Sequence, residues 1–187
     1  MFIQTEQTPN PASLKFLPGC EVMIKGTAEF THPGQAAVSP LAERLFKVNG
    51  VTGVFLGHDF ITVTKSPSVE WAGLKTTLLG MIMEHFTTGQ PVMNDEHLHS
   101  TTPASSASDD DSDIVRQIKE LLDTRIRPVV AQDGGDIVFD SFDHGVVYLH
   151  MRGACAGCPS STMTLKAGIE NLLKHFIPEV NEVRAVN

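Results

Sequence analysis

The sequence predicts an α+β protein built from two small domains joined by a flexible linker. Three observations lead there. Apolar residues recur with a two-residue period in short runs and with a helical period in longer ones, so strands and helices are both present. Eleven prolines and fifteen glycines in 187 residues, with aromatics at only 6%, favour several short elements over one large core. Between Thr88 and Asp113 the composition changes: Gly89-Gln90-Pro91 opens a stretch rich in His, Ser and Thr that ends in Asp109-Asp110-Asp111-Ser112. Such a segment cannot bury enough apolar surface to offset its ordering entropy. The domains are therefore placed at 1–88 and 113–187, with 89–112 between them. Charge follows the same division, with 6 basic and 7 acidic residues before the linker, 0 and 5 within it, and 8 and 10 after it. Most of the net charge of -8 thus lies in the linker.

The first domain reads as β-β-α-β-β-α. Residues 2–6 alternate like a strand, Pro9-Asn10-Pro11 turns the chain, and 13–17 form a second strand ended by Pro18-Gly19. Ser39 can cap a helix with Pro40 in its first position, and Leu41, Leu45, Phe46 and Val48 give it an apolar face up to Asn49-Gly50. Val51–Leu56 and Phe60–Thr64, separated by Gly57-His58-Asp59, read as a hairpin, and a second helix follows over about 68–87. The expected result is an antiparallel sheet with its helices on one face.

The second domain reads as α-β-β-α-β. Ser112 or Asp113 caps a helix whose Ile114, Ile118, Leu121, Leu122 and Ile126 share a face, and Pro128 should kink or end it. Gln132-Asp133-Gly134-Gly135-Asp136 is a turn leading into a strand, and residues 137–142 and 146–151 flank the hairpin turn Asp143-His144-Gly145. After a Gly-rich loop, Pro159 opens a helix carrying Leu165, Ile169, Leu172, Leu173 and Phe176, and Val180–Val186 can form a last strand.

Composition narrows the function. The acidic balance argues against a nucleic-acid footprint, which needs clustered Lys and Arg. No run reaches the roughly 18 apolar residues that read as a membrane span. Met1 runs directly into a strand-like alternation, and the first basic residue is Lys15, which gives no secretory or transit signal. Three cysteines in such a chain point to redox or metal chemistry more than to a disulfide framework.

Cys155-Ala156-Gly157-Cys158 lies between a strand and a helix start. That spacing lets both sulfurs face one centre, and the positive end of the helix should lower the thiol pKa. Arg152 stands nearby as a charge or as a solvated surface residue. Three chemistries stay open for the pair: a thiol-disulfide oxidoreductase, half of a zinc site, and half of an iron-sulfur site. Zinc and iron-sulfur centres need about four ligands. Cys20 lies in the other domain without a nearby partner, and His150 and His175 lack a metal-pair spacing to the cysteines. The other histidines read as surface residues, and the glycines of the 133–136 turn read as turn geometry before cluster contact. If one chain supplies only two thiolates, a four-thiolate site needs two chains related by a twofold axis.

The sequence resembles the Nfu-type, NifU-related iron-sulfur cluster scaffolds and carriers. In the second domain the resemblance rests on Arg125-Ile126-Arg127-Pro128, Asp133-Gly134-Gly135-Asp136 and Gly153-Ala154-Cys155-Ala156-Gly157-Cys158-Pro159-Ser160-Ser161. In the first it rests on Thr8-Pro9-Asn10-Pro11, Lys15-Phe16-Leu17-Pro18-Gly19, Ser39-Pro40-Leu41-Ala42 and Asp59-Phe60-Ile61-Thr62-Val63. It covers nearly everything except the linker. The resemblance implies a non-enzymatic protein with a [4Fe-4S] cluster bridged between two chains, Cys155 and Cys158 of each being the ligands. Its partners would be apo iron-sulfur proteins that accept the cluster and the upstream assembly machinery that supplies it. The first domain would be an accessory module for such partners. A bacterial cytoplasm fits a chain without a presequence; a mitochondrial matrix would require that a presequence had been removed. Against the oxidoreductase reading, only 29 residues follow Cys158, and Pro159 stands after the pair rather than inside it.

Overall fold

A computed structural model describes residues 1–94, 112–157 and 159–186, together with backbone but no side chains at 159–161. The chain divides into two compact units, Met1–Thr102 and Pro103–Asn187. The fold is α+β in both. No helix among the described residues is long and apolar enough to cross a membrane.

In the first unit, β1 (Gln4–Gln7), β2 (Ser13–Leu17), β3 (Ala28–Phe30), β4 (Val51–Leu56) and β5 (Ile61–Lys65) form one sheet in the order β1-β2-β5-β4-β3. All its neighbours are antiparallel. The pairing places Leu14, Val63, Val54 and Phe30 in one row across the sheet, and Phe16, Ile61, Leu56 and Ala28 in the next. These rows join Leu41 and Leu45 of α1 (Pro40–Phe46) and Leu74, Leu78 and Ile82 of α2 (Trp71–Thr87) in a single core. Ser39 caps α1 as its sequence suggests, accepting from the Ala42 N–H at 3.1 Å.

Two features depart from the expected order. The strand β3 and a 3₁₀ turn over Pro33–Val38 occupy the stretch between β2 and α1, for which the sequence predicts no element. Beyond α2, residues 89–94, placed in the linker by composition, lie against this unit. Met93 enters the core, Asn94 N–H donates to the Val38 carbonyl at 2.9 Å, and the Ser39 hydroxyl donates to the Val92 carbonyl at 2.6 Å. The remaining linker positions, 95–111, lie outside the described residues.

The second unit opens with a helical run made of α3 (Asp113–Leu121), a π-helical stretch (Leu122–Ile126) and α4 (Arg127–Gln132). Ser112 is its cap. The run continues past Pro128 because the register widens before it, with the Arg127 N–H donating back to the Leu122 carbonyl. The widening also serves packing. Ile118, Leu122, Ile126 and Val130 are all buried, and an apolar row at four-residue spacing drifts by about 40° per step around a helix of about 3.6 residues per turn. Wider turns take up that drift.

Then β6 (Gly135–Asp143) and β7 (Val146–Gly153) pair antiparallel, joined at His144-Gly145, where both residues have positive φ. The chain returns through α5 (Pro159–Phe176) to β8 (Glu182–Val186), which pairs parallel to β7. Ile137, Val147, Leu149, Ile169, Leu173 and Val183 close this core over the helical row, and Cys155 belongs to it.

Candidate functional site

The loop carrying Cys155 is fixed from two sides. It leaves β7 at Gly153, which pairs with Gly135 across the strands. The Ala154 N–H donates to the Gly134 carbonyl at 3.2 Å, and the Ala156 N–H to the Gly153 carbonyl at 3.1 Å. On the α5 side, the Thr162 hydroxyl donates to the Cys155 carbonyl at 3.0 Å.

Gly135 sets how deeply the sulfur sits. A β-carbon there would stand 2.5 Å from Cys155 Sγ and 2.8 Å from the Arg152 carbonyl oxygen, so only a glycine lets strand and loop approach this closely. Cys155 is buried, at 5% exposure.

Its thiol pKa is pushed up to about 12, first by burial and then by the carboxylates of Asp133 and Asp136. This reverses the expectation drawn from the helix start. Burial and the two carboxylates are what move the pKa, and Arg152 is not among the groups acting on the thiol.

Asp136 is itself tied down and is 4% exposed. Arg127 grips it with two parallel bonds, Nε to Oδ1 at 2.8 Å and Nη2 to Oδ2 at 2.9 Å, and also reaches Asp123 Oδ1 through Nη1 at 3.1 Å. The Ile137 N–H adds a bond of 2.8 Å to Asp136 Oδ1. The 133–136 turn thus has a structural account: its glycines admit the loop, and Asp136 anchors α4 to β6. Sequence reasoning did not pair Arg127 with Asp136, although both stand in the quoted blocks. Opposite charges flanking a Gly-Gly turn were the available signal.

The remaining candidates are dispersed. Cys158 lies outside the described residues. Cys20 is exposed in the first unit. His150 Nε2 sits 3.1 Å from Asp140 Oδ1, and the His175 ring packs edge-on against Phe176 at 5.0 Å. Among the described residues no three His, Cys, Asp or Glu side chains converge to hold a metal ion.

Residues 3–89 match the family described as scaffold protein Nfu/NifU N terminal, and residues 118–184 match the NifU-like domain. Two curated relatives, from Drosophila simulans and Drosophila persimilis, are each named NFU1 iron-sulfur cluster scaffold homolog, mitochondrial. Each is 52% identical over 187 residues, covering 100% of this chain and 65% of its own length. The chain therefore spans just under two thirds of the relatives it matches. A solution structure of a NifU-like protein from Saccharomyces cerevisiae aligns with 51% of this chain and 86% of its own, at 25% identity and a TM-score of 0.46. With a match to the N-terminal Nfu domain followed by a match to the NifU-like domain, the chain belongs to the Nfu/NifU scaffold protein family.

Proposed function

We propose that this chain is an iron-sulfur cluster scaffold or carrier that holds a [4Fe-4S] cluster between two copies of itself and passes it to apo-proteins. The observation that carries the reading is the Cys155-Ala156-Gly157-Cys158 loop, set between β7 and α5 inside the region that matches the NifU-like domain. Cys155 and Cys158 of each chain are the four ligands. The cluster is cargo, so the site must release it as well as bind it, and two ligands per chain from one loop suit that task. An acceptor's thiolates can replace one chain's pair at a time.

The donor chemistry fits. Thiolates are the usual iron-sulfur ligands, and iron displaces the thiol proton on binding, so a thiol that is protonated at neutral pH is still a competent ligand. Against the oxidoreductase alternative, an attacking thiol needs access, and Cys155 is buried. The unit spanning 113–187 is the cluster-bearing part, and 1–88, with 89–94 packed against it, the module for acceptors or for the upstream assembly machinery. The relatives' names favour a mitochondrial compartment over the bacterial cytoplasm suggested by the opening residues.

The test is anaerobic reconstitution with iron and sulfide of the unaltered chain and of three single variants. Cys155→Ser and Cys158→Ser should each abolish cluster binding, because no spare ligand exists, whereas Cys20→Ser should retain it. Loss of iron in Cys20→Ser as complete as in the other two would contradict the assignment.

A further inference from the structure

The first unit contains a cleft of about 510 Å³ lined by residues of that unit alone. It is lined by Thr5 of β1, Leu14 of β2, Pro9 and Pro11 of the turn between them, and Trp71 and Lys75 of α2. The volume falls within the range of about 300–1,000 Å³ typical of binding pockets.

Three observations give the cleft a chemistry. The Trp71 indole is held in place, its Nε1 donating to the Pro11 carbonyl at 3.1 Å, so it offers a fixed aromatic surface. Two lysines flank it: Lys75 lies one turn along α2, and Lys65 Nζ stands 5.9 Å from the ring centroid. Neither lysine has a carboxylate partner among the described residues. The first domain's 6 basic and 7 acidic residues nearly balance, so Lys75, which lines the cleft without a carboxylate partner among the described residues, leaves a positive charge beside the aromatic surface. Finally, β1 is an edge strand with β2 as its one neighbour, so one side of its main chain has no partner strand in the sheet. An added peptide strand can use such an edge.

We infer that this cleft is a docking site for an acidic, extended segment of a protein partner, laid along β1 with an apolar side chain on Trp71 and a carboxylate at Lys75. A peptide suits the cleft better than a compact organic acid, because β1, which contributes to its lining, is an edge strand that a second main chain can pair. An acidic segment is selected because its carboxylate meets the Lys75 cation that lines the cleft.

Trp71 is the only tryptophan in the sequence, so its emission reports occupancy directly. The full-length chain is titrated with a short amidated peptide of alternating glutamate and leucine, with the same peptide carrying glutamine for glutamate, and with phenylacetate. The acidic peptide should shift Trp71 emission saturably, with binding weakened by added salt and by about tenfold or more on replacing glutamate with glutamine. Lys75→Glu should weaken it by about tenfold, while Lys25→Glu, an exposed lysine in the loop after β2, should leave it unchanged. Backbone amide spectra of both variants establish that they are folded, and in the unaltered chain the peptide should perturb residues 5–14 and 71–75. An emission that does not saturate, equal binding of the glutamine peptide, or unchanged affinity in folded Lys75→Glu overturns the proposal. Phenylacetate saturating at the same concentration as the peptide overturns its assignment to a protein partner.

Discussion

At Gly135 one hydrogen decides where a sulfur can sit. Because the nearest atoms to an added β-carbon are Cys155 Sγ and the Arg152 carbonyl, the second of which is backbone, the site cannot relax by rotating a side chain. Gly135→Ala should therefore cost about 1–3 kcal/mol of stability in the second unit, measured by denaturant unfolding of the cluster-free chain; an unchanged midpoint would mean that the loop moves freely. His85 gives a second test at this scale. Its ring is fully buried, neither ring nitrogen makes a hydrogen bond of standard geometry among the described residues, and its pKa is held below the usual 6.5 by burial and then by Arg44. The unfolded chain takes up a proton near pH 6.5 that the folded chain resists. Stability of the first unit is thus fully present above that pH and lost as pH falls through the depressed folded value. Unfolding followed by Trp71 emission should shift to lower denaturant as pH falls below about 6.5, and His85→Phe should flatten that slope. The position of Cys155 at a strand-to-helix loop was legible in the sequence. Its raised pKa was not, because it comes first from burial in a core assembled from distant elements, and then from Asp133 and Asp136, which the β6–β7 pairing brings alongside from a turn about twenty residues earlier.

Among the elements, α4 and β6 are coupled by the Arg127–Asp136 pair, with side chains 21% and 5% exposed. Removing the cation would leave a buried carboxylate without compensation. Arg127→Met should destabilise the second unit by about 3 kcal/mol or more, and the double change Arg127→Met with Asp136→Leu should recover much of that loss. A single variant as stable as the parent would show the pair to be superfluous. The elements with strong patterns were readable in advance: the β4–β5 hairpin from its alternation, α1 from Ser39-Pro40, and α5 from Pro159 and its apolar row. Others had no local signal. The strand β3 has three residues with a polar Glu29 at its centre, and its partner β4 supplies the pairing from more than twenty residues away. Met93 sits in a Gly-, Pro- and Asn-containing stretch whose composition says linker, while its burial depends on Val38 and Ser39 nearby. Pro128 reads as a helix end from its missing N–H, but the wide turn before it absorbs the defect.

At the scale of the whole molecule, the two units carry separate chemistries: a single CxxC loop in the second, and in the first an aromatic and basic cleft beside an edge strand. If Cys155 and Cys158 of two chains hold one cluster, as proposed, cluster binding is tied to association, since mass action then favours the pair of chains only when the cluster is present. The direct measurement is sedimentation velocity of the full-length chain without air, before and after loading with iron and sulfide. The cluster-free chain should sediment as a monomer at micromolar concentration, the loaded chain as two copies sharing one four-iron cluster, and a chelator should return it to monomer. A cluster-free dimer whose size does not change on loading, or a monomer that keeps a full four-iron cluster, would contradict the shared site.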